Sequence, residues 1–458
     1  MSRIFLLSSN VAYDPYPVYP LGMAAVAAAL VAAGHDVCQF DHLAEGSSED
    51  KLRDSVRAFA PDVVGLSLRN IDDVDSFSGE AGWCLDIARR LVRVLREGTQ
   101  SPIMVGGPAF SLMPEEILEY IEADYGVVGE GEQVACNLVE ALSFGRPREK
   151  FHRAQNLLSG SEIPSPLMNN AIASFYAGAS GMLGLQTKRG CPHGCEYCAY
   201  PRLEGPACRC REAGAVANDL ARMRRDYGVT NFFFADAVFN DEGGHYLELA
   251  EAICQESLNI QWCAFFRPKG LGRKEITLLK RSGLYAAELG TDAVTDMTLN
   301  GLRKGYSFSD VLKVTKAFQE SQVPCAHYVI FGGPGETEDT VSEGFENIDR
   351  LGSCVIFAFS GIRILPGTEI HIRALGEGLL PENPSLLRPV YYFSPTIDRQ
   401  TMNEAVERAF HGFRTRIFPP SEGRNRLAVL HDFGFRGILW DKLTSPRSAT
   451  RKRAPREC

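Results

Sequence analysis

Short apolar runs alternate along the chain with longer segments in which apolar positions recur at helical spacing. Arg3 to Asn10 is an apolar run ending in Ser8-Ser9-Asn10, and Gly22 to Ala33 is a helix-like Ala/Val/Leu stretch closed by Gly34. Strand-like runs follow at His35 to Phe40, Asp62 to Leu68, Pro102 to Gly107 and Tyr125 to Gly129, with helical segments at Lys51 to Phe59, Trp83 to Leu95 and Pro114 to Ile121. Such alternation predicts a parallel sheet wrapped by helices. Between Gly145 and Gly181 no period is sustained, and Pro147, Pro164 and Pro166 stand among several serines, so this stretch reads as a connector. A second series begins at Met182 to Gln186 and continues through Asn231 to Asp236, Gln261 to Phe265, Ala286 to Gly290, Ala326 to Phe331 and Val355 to Phe359, with helices between. From Leu386 the pattern changes again: Tyr391-Tyr392-Phe393 and a helix-like Thr401 to Ile417 suggest a small cap over the substrate side.

The chain is therefore expected to be α/β. Residues 1–145 form a Rossmann-like, doubly wound parallel sheet, 146–175 a linker, 176–385 a partial (β/α)6 TIM-type barrel and 386–444 a C-terminal cap. Residues 445–458, rich in Arg, Ser and Pro, read as a disordered basic tail. In both architectures ligands meet the carboxyl ends of the strands. In the first unit those ends are Ser8-Ser9-Asn10, Ser67-Leu68-Arg69-Asn70, Gly106-Gly107-Pro108 and Gly129-Glu130-Gly131-Glu132, mostly small enough to admit a large planar ligand.

Composition narrows the class. The 458 residues, 45% hydrophobic and 23% charged, suit a globular protein able to bury a sizeable core. Lys and Arg number 48 against 57 Asp and Glu, a net charge of −9, which argues against a nucleic-acid-coating surface. The apolar start after Arg3 is too short for a secretion signal, and Leu21 to Ala33 falls short of the ~20 residues that span a bilayer, so a cytoplasmic protein without a membrane span is expected. Thirteen cysteines scattered through a long chain do not make a secreted disulfide framework.

The chemistry concentrates in Lys188-Arg189-Gly190-Cys191-Pro192-His193-Gly194-Cys195-Glu196-Tyr197-Cys198. Three cysteines spaced C-x3-C-x2-C can present three thiolates on one loop, with Gly190 and Gly194 allowing tight winding and Pro192 stiffening it. A structural zinc site wants four protein ligands, whereas three thiolates on a four-iron cluster leave one iron open. A zinc knuckle completed by His193, Cys208 or Cys210, and three merely buried cysteines, are the competing readings. The nearby Cys208-Arg209-Cys210 pair has no evident further ligands and reads as buried thiols, as do Cys254, Cys263, Cys325 and Cys354.

This loop, after a strand-like run, resembles the signature loop of the radical S-adenosylmethionine (SAM) superfamily. The resemblance implies a 4Fe-4S cluster on Cys191, Cys195 and Cys198, with SAM on the open iron and the Tyr197 ring near its adenine. It also implies roles at the later strand ends. Asp236 would lie near the methionyl amine, Arg267 would meet the cofactor carboxylate as a fork, and Asp292, in Gly290-Thr291-Asp292 where relatives often have Gly-x-Glu-Ser, would reach the ribose with a shorter arm. Gly332-Gly333-Pro334-Gly335-Glu336-Thr337 is similar to the family's Gly-x-Pro-Gly-Glu-Thr turn, which lets backbone approach the adenine. Pro366-Gly367-Thr368 is its usual companion.

The first unit, together with Tyr19-Pro20-Leu21-Gly22, resembles the cobalamin-binding domain that precedes many radical SAM domains. That resemblance implies corrin contacts from Ser8, Asn10, Ser67, Gly106, Gly107, Gly129 and Glu130. The Asp-x-His-x-x-Gly motif that gives cobalt a histidine is absent, and His35 lies at a strand start, so cobalt would be held without a histidine of that motif. The activity implied is reductive SAM cleavage to a 5′-deoxyadenosyl radical and cobalamin-dependent methylation of an unactivated carbon in a small or lipid-like substrate. Electrons would come from a flavodoxin or ferredoxin, with no nucleic-acid partner. A radical cyclase or rearrangement enzyme of the same family, and a non-catalytic iron-sulfur or corrin sensor, are the alternatives.

Overall fold

The computed structural model describes residues 1–13, 16–79 and 83–444. The tail expected to be disordered, 445–458, lies outside the described residues. Six strands build the first sheet: β1 (Arg3–Ser8), β2 (Asp36–Asp41), β3 (Val63–Ser67), β4 (Ile103–Gly106), β5 (Tyr125–Val128) and β6 (Phe151–Arg153). They are all parallel, in the order β2-β1-β3-β4-β5-β6. Ile4, Phe5, Leu6 and Leu7 are all buried because helices cover both faces, which is why β1 reads as a continuous apolar run instead of an alternating one. Chain order reverses at β1, flanked by β2 and β3, so the crevice beyond Ser8 and Ser67 is the switch point where such sheets bind ligands.

The expected linker is partly built into the fold. Its residues 151–153 are β6, pairing with β5 through Gly126↔Phe151. Three residues are too few to show a period, so no pattern marks the strand. Next, Asn169 caps helix Asn170–Ser180 by accepting from the Ala171 and Ile172 N–H groups.

The second sheet contains β7 (Met182–Leu185), then, after the ribbon of β8 (Lys188–Arg189) with β9 (Arg209–Cys210), β10 (Asn231–Phe234), β11 (Gln261–Phe266), β12 (Leu284–Asp292), β13 (Cys325–Phe331) and β14 (Val355–Ser360). These are the six expected barrel strands. A hairpin of β15 (Ile362–Arg363) with β16 (Tyr391–Tyr392) follows, and then β17 (Arg416–Ile417), a seventh barrel strand beside β14. The order β17-β14-β13-β12-β11-β10-β7 leaves the barrel open between β7 and β17. Sequence periodicity ran the preceding helix on to Ile417, but it ends at Phe410, and Ile417 instead pairs with Phe357.

Side chains alternate across this wall. On β11, Trp262 and Phe266 pack outward among the helices, while Cys263 faces inward with Met182, Ala286, Ala326 and Val355. The C-terminal segment divides between the two ends of the barrel instead of forming one cap. Ser394 donates its N–H to Gly332 O at the mouth, whereas Gly437 donates to Ser180 O below β7, and Ile438, Trp440 and Leu443 plug the bottom. No helix among the described residues is long and apolar enough to cross a membrane.

Candidate active site

The three cysteines lie between β8 and the short helix Tyr200–Leu203, at the carboxyl end of β7. Gly190 turns the chain at φ 88°, and a Cβ there would sit 2.1 Å from Ala207 O, so no other residue fits without shifting backbone. Cys191 N–H donates to Gly205 O and Cys198 N–H to Cys195 O, both at 3.1 Å. Burial, with Cys195 and Cys191 adding to it, pushes the Cys198 thiol up to about 12. Three thiolates so placed need cationic charge among them. Among the described residues no three His, Cys, Asp or Glu side chains converge on a single-ion site. Cys208 Sγ faces Gly190 O at 3.8 Å. Three thiols on one loop fit a polynuclear cluster with one open position.

Three buried polar contacts hold the loop. Asp236, at the end of β10, accepts from Thr187 N at 2.7 Å, Thr187 Oγ1 at 2.5 Å and Lys188 N at 3.2 Å. Its carboxylate is committed to the entry of the loop, and burial raises its pKa against the pull of Lys188 and Thr187. Lys188, itself buried, donates to Phe239 O at 2.6 Å and Asp241 at 2.8 Å. Glu196 donates its N–H to Leu302 O and takes Arg373 Nε and Nη2 at 3.0 and 2.8 Å on Oε1, leaving buried Oε2 without a partner.

A further contact joins Tyr197 to Asp292. The tyrosine hydroxyl and the Lys304 ammonium both donate to Asp292 Oδ2, and Lys304 lies 5.7 Å from the Tyr197 ring centroid. Burial opposes charge on Lys304, but Asp292, Tyr197 and Tyr306 hold it protonated and raise its pKa. Asp292 adopts φ 59° at the point where β12 shifts register against β13. Lys304 carried no motif in the sequence, and nothing beside it marked it as buried.

Arg267 donates Nη2 to Lys304 O at 2.6 Å, lies 5.1 Å from the Tyr306 ring, and keeps its buried Nε unpaired. The Gly332-Gly333-Pro334 turn stands beside it in the mouth. Glu336 closes that turn by accepting from Gly332 N at 3.2 Å, and burial lifts its carboxyl to about 7. Pro334 O lies so close to Gly301 that a Cβ there would be 2.0 Å away, tying the turn to the Leu302–Lys304 segment.

The first sheet's strand ends face this region. Ser67, Gly106 and Gly129 form a ledge of small residues, a Cβ on Gly129 meeting nothing closer than Ala154 Cβ at 3.9 Å, whereas Ser8 is buried with its hydroxyl oxygen accepting from Asn10 N–H. Gly107, at φ 107°, is fixed as glycine by Leu68 O, 2.3 Å from a Cβ. Such a ledge fits a flat macrocycle. His35 accepts from Ser2 N at the opposite end of the sheet, so it cannot reach a ligand on the ledge. Asn10 is spent on the fold, donating to Val18 O and Tyr176 Oη and accepting from Ala12 N.

Glu130 is likewise engaged, taking Arg189 at 3.1 Å, Arg209 at 2.7 Å and Leu158 N at 2.7 Å, while Arg189 also pairs with Glu132. These ion pairs fasten the first unit to the β8–β9 ribbon that carries the cysteine loop. Arg69, just past β3, is exposed to the cleft between the units; partial desolvation there lowers its pKa, and Tyr200, Tyr176 and Tyr16 act on it from around the cleft. Sequence reading placed Arg69 on a strand end without assigning it a role.

Comparison with known proteins follows the same division. The B12 binding domain family matches residues 8–139, and the Radical SAM superfamily matches 185–347. A tryptophan 2-C-methyltransferase of Streptomyces laurentii is 24% identical over 429 residues, covering 76% of this chain and 71% of that protein. An uncharacterized methyltransferase of Pyrococcus horikoshii is 25% identical over 378 residues, covering 79% of each. The structure of a radical SAM methyltransferase from Kitasatospora setae, with cobalamin and a 4Fe-4S cluster bound, superposes with a TM-score of 0.83 at 21% identity, covering 96% of this chain and 97% of that one. The chain belongs to the radical SAM proteins that carry a B12-binding domain ahead of the radical SAM domain.

Proposed function

We propose that the protein is a cobalamin-dependent radical SAM methyltransferase acting on an unactivated carbon of a small molecule. The observation that carries this reading is the placement of the three-thiol loop at the barrel mouth beside the switch point of the first sheet, where Arg69 past β3 meets Tyr200 just after the loop. The chemistry supplied by the bound groups is one-electron cleavage of SAM at the cluster and delivery of a methyl group from the corrin. Cys191, Cys195 and Cys198 would hold the cluster, and Ser67, Gly106, Gly107 and Gly129 would let the corrin lie flat. Asp236 and Glu196 keep the thiols in place from both ends of the loop.

Within the mouth, the Tyr197–Asp292–Lys304 contact sets a neutral hydroxyl and a paired charge beside the thiols, so SAM meets a polar wall that is already oriented. Arg267 brings fixed positive charge suited to a carboxylate. Closure of the barrel bottom by Trp440 and Leu443 excludes water from below. A flavodoxin- or ferredoxin-type donor would supply electrons.

The test is anaerobic incubation of the reconstituted, cobalamin-loaded protein with reductant and methyl-labelled SAM, using tryptophan as the first substrate because a relative methylates it. Label in a carbon-methylated product supports the reading. SAM cleavage with a cyclised product and no label would favour a cyclase, and absence of SAM cleavage would favour a sensor.

A further inference from the structure

The interior of the barrel is filled below and open above, and what lines the open part is aromatic. The lower inward residues, among them Met182, Cys263 and Ala286, are buried, whereas Phe233, Phe265, Tyr328 and Phe359, nearer the mouth, keep solvent-accessible surface. Phe265 is the clearest case: it sits on a central strand, walled outside by helices, and is still 37% exposed. A side chain so placed has only the lumen to face. Rings follow one another around this wall, Phe233 to Phe265 at 5.3 Å, Phe265 to Tyr328 at 6.0 Å and Tyr328 to Phe359 at 6.4 Å between centroids. Tyr16, from the first unit, extends the row with its ring 6.2 Å from that of Phe233.

A carboxyl, Glu288, sits at the floor. Glu288 accepts from Trp440 Nε1 at 3.1 Å and Tyr16 Oη at 3.4 Å on Oε1, and from Tyr328 Oη at 3.1 Å on Oε2. It is 1% exposed, so these partners cover it from the lumen. All three are neutral donors, and burial lifts the carboxyl to about 7, which leaves it without a full negative charge to draw in a cation. An anion lowered between the rings would lose its hydration and approach that carboxyl, whose own partners are all neutral.

We infer that the upper lumen is the substrate subsite and that it takes a neutral, ring-bearing group, with Phe233, Phe265, Tyr328 and Phe359 setting the specificity. This rests on the methyltransferase reading only for what happens to the bound ring, since the wall itself is independent of either cofactor. Flat rings gain edge and face contacts with such a wall that aliphatic groups do not.

Equilibrium dialysis of the reconstituted full-length protein against indole, benzenesulfonate and benzylamine tests the assignment. Indole is expected to bind saturably, and each charged ring at least about tenfold more weakly. Phe265→Asp is expected to abolish indole binding while Phe265→Leu keeps it within about threefold, since a charge in the wall must be desolvated and an apolar exchange need not be. Phe359→Asp makes the same test from another strand if the first variant does not fold. Equal binding of benzenesulfonate or benzylamine, or indole binding unchanged in both Asp variants, overturns the inference. Cluster and corrin content measured on the same samples keeps a failure of the methyltransferase reading distinct, because indole binding then persists in protein lacking either cofactor.

Discussion

Single residues decide whether a cluster can assemble. Cys191→Ala, Cys195→Ala or Cys198→Ala is each expected to abolish the four-iron absorption spectrum and 5′-deoxyadenosine formation after anaerobic reconstitution, whereas Cys208→Ala and Cys210→Ala keep both. Dependence on Cys208 in that assay would restore the metal-knuckle alternative. Glu288 offers a test through pH. Burial raises its folded-state pKa from 4.5 to about 7, so between those values the native protein holds a proton that the unfolded chain releases. Stability therefore falls as pH rises from about 4.5 to about 7 and levels off above, with a contribution of about 3 kcal/mol. Denaturant midpoints across this range should show that slope in the native sequence and lose most of it in Glu288→Gln; identical profiles would contradict the burial argument. Much of the residue-level chemistry was legible because the thiol loop is local: its spacing and its glycines are all within one short segment. Lys304 and Glu288 were not, since their partners lie far away in sequence and nothing in a neighbouring residue marks a buried charge.

At the scale of elements, the β8–β9 ribbon and the first unit are joined by Glu130, Arg189, Arg209 and Glu132, all with side chains 14% exposed or less. Removing one partner from a buried ion network strands the others, at a cost of about 3 kcal/mol. Glu130→Ala is therefore expected to loosen the ribbon, seen as faster limited proteolysis near Leu158 and Arg209 and as loss of iron on gel filtration. Unchanged proteolysis and iron content would show that the two units hold together without this network. The same carboxylate had been expected, from the likeness to cobalamin-binding domains, to touch the corrin, because a glutamate after a strand-end glycine looks like a ligand contact; here its oxygens meet arginines from the next domain. Strands with long apolar runs were readable, while β6 and β17 were not. Each is two or three residues long and exists only because an edge of a sheet is available to pair with, which is a tertiary fact.

The whole molecule is two parallel sheets whose carboxyl ends face one cleft, one ending in small residues and the other in three thiols. Strand–helix alternation was sufficient to anticipate both sheets. The split of the C-terminal segment between barrel mouth and barrel floor was not anticipated, since Trp440 and Ile438 could have packed anywhere apolar. The arrangement makes the cluster and the corrin separable in experiment: the cluster is held by the loop and the contacts that brace it, whereas corrin retention needs the ledge. The measurement closest to the central claim is equilibrium dialysis of hydroxocobalamin against the anaerobic protein carrying its cluster. The expected result is retention of roughly one corrin per chain, with an absorption spectrum unchanged in His35→Ala. Absence of corrin retention, with 5′-deoxyadenosine formation intact, would contradict the account and leave a radical enzyme whose first sheet has no cofactor to hold.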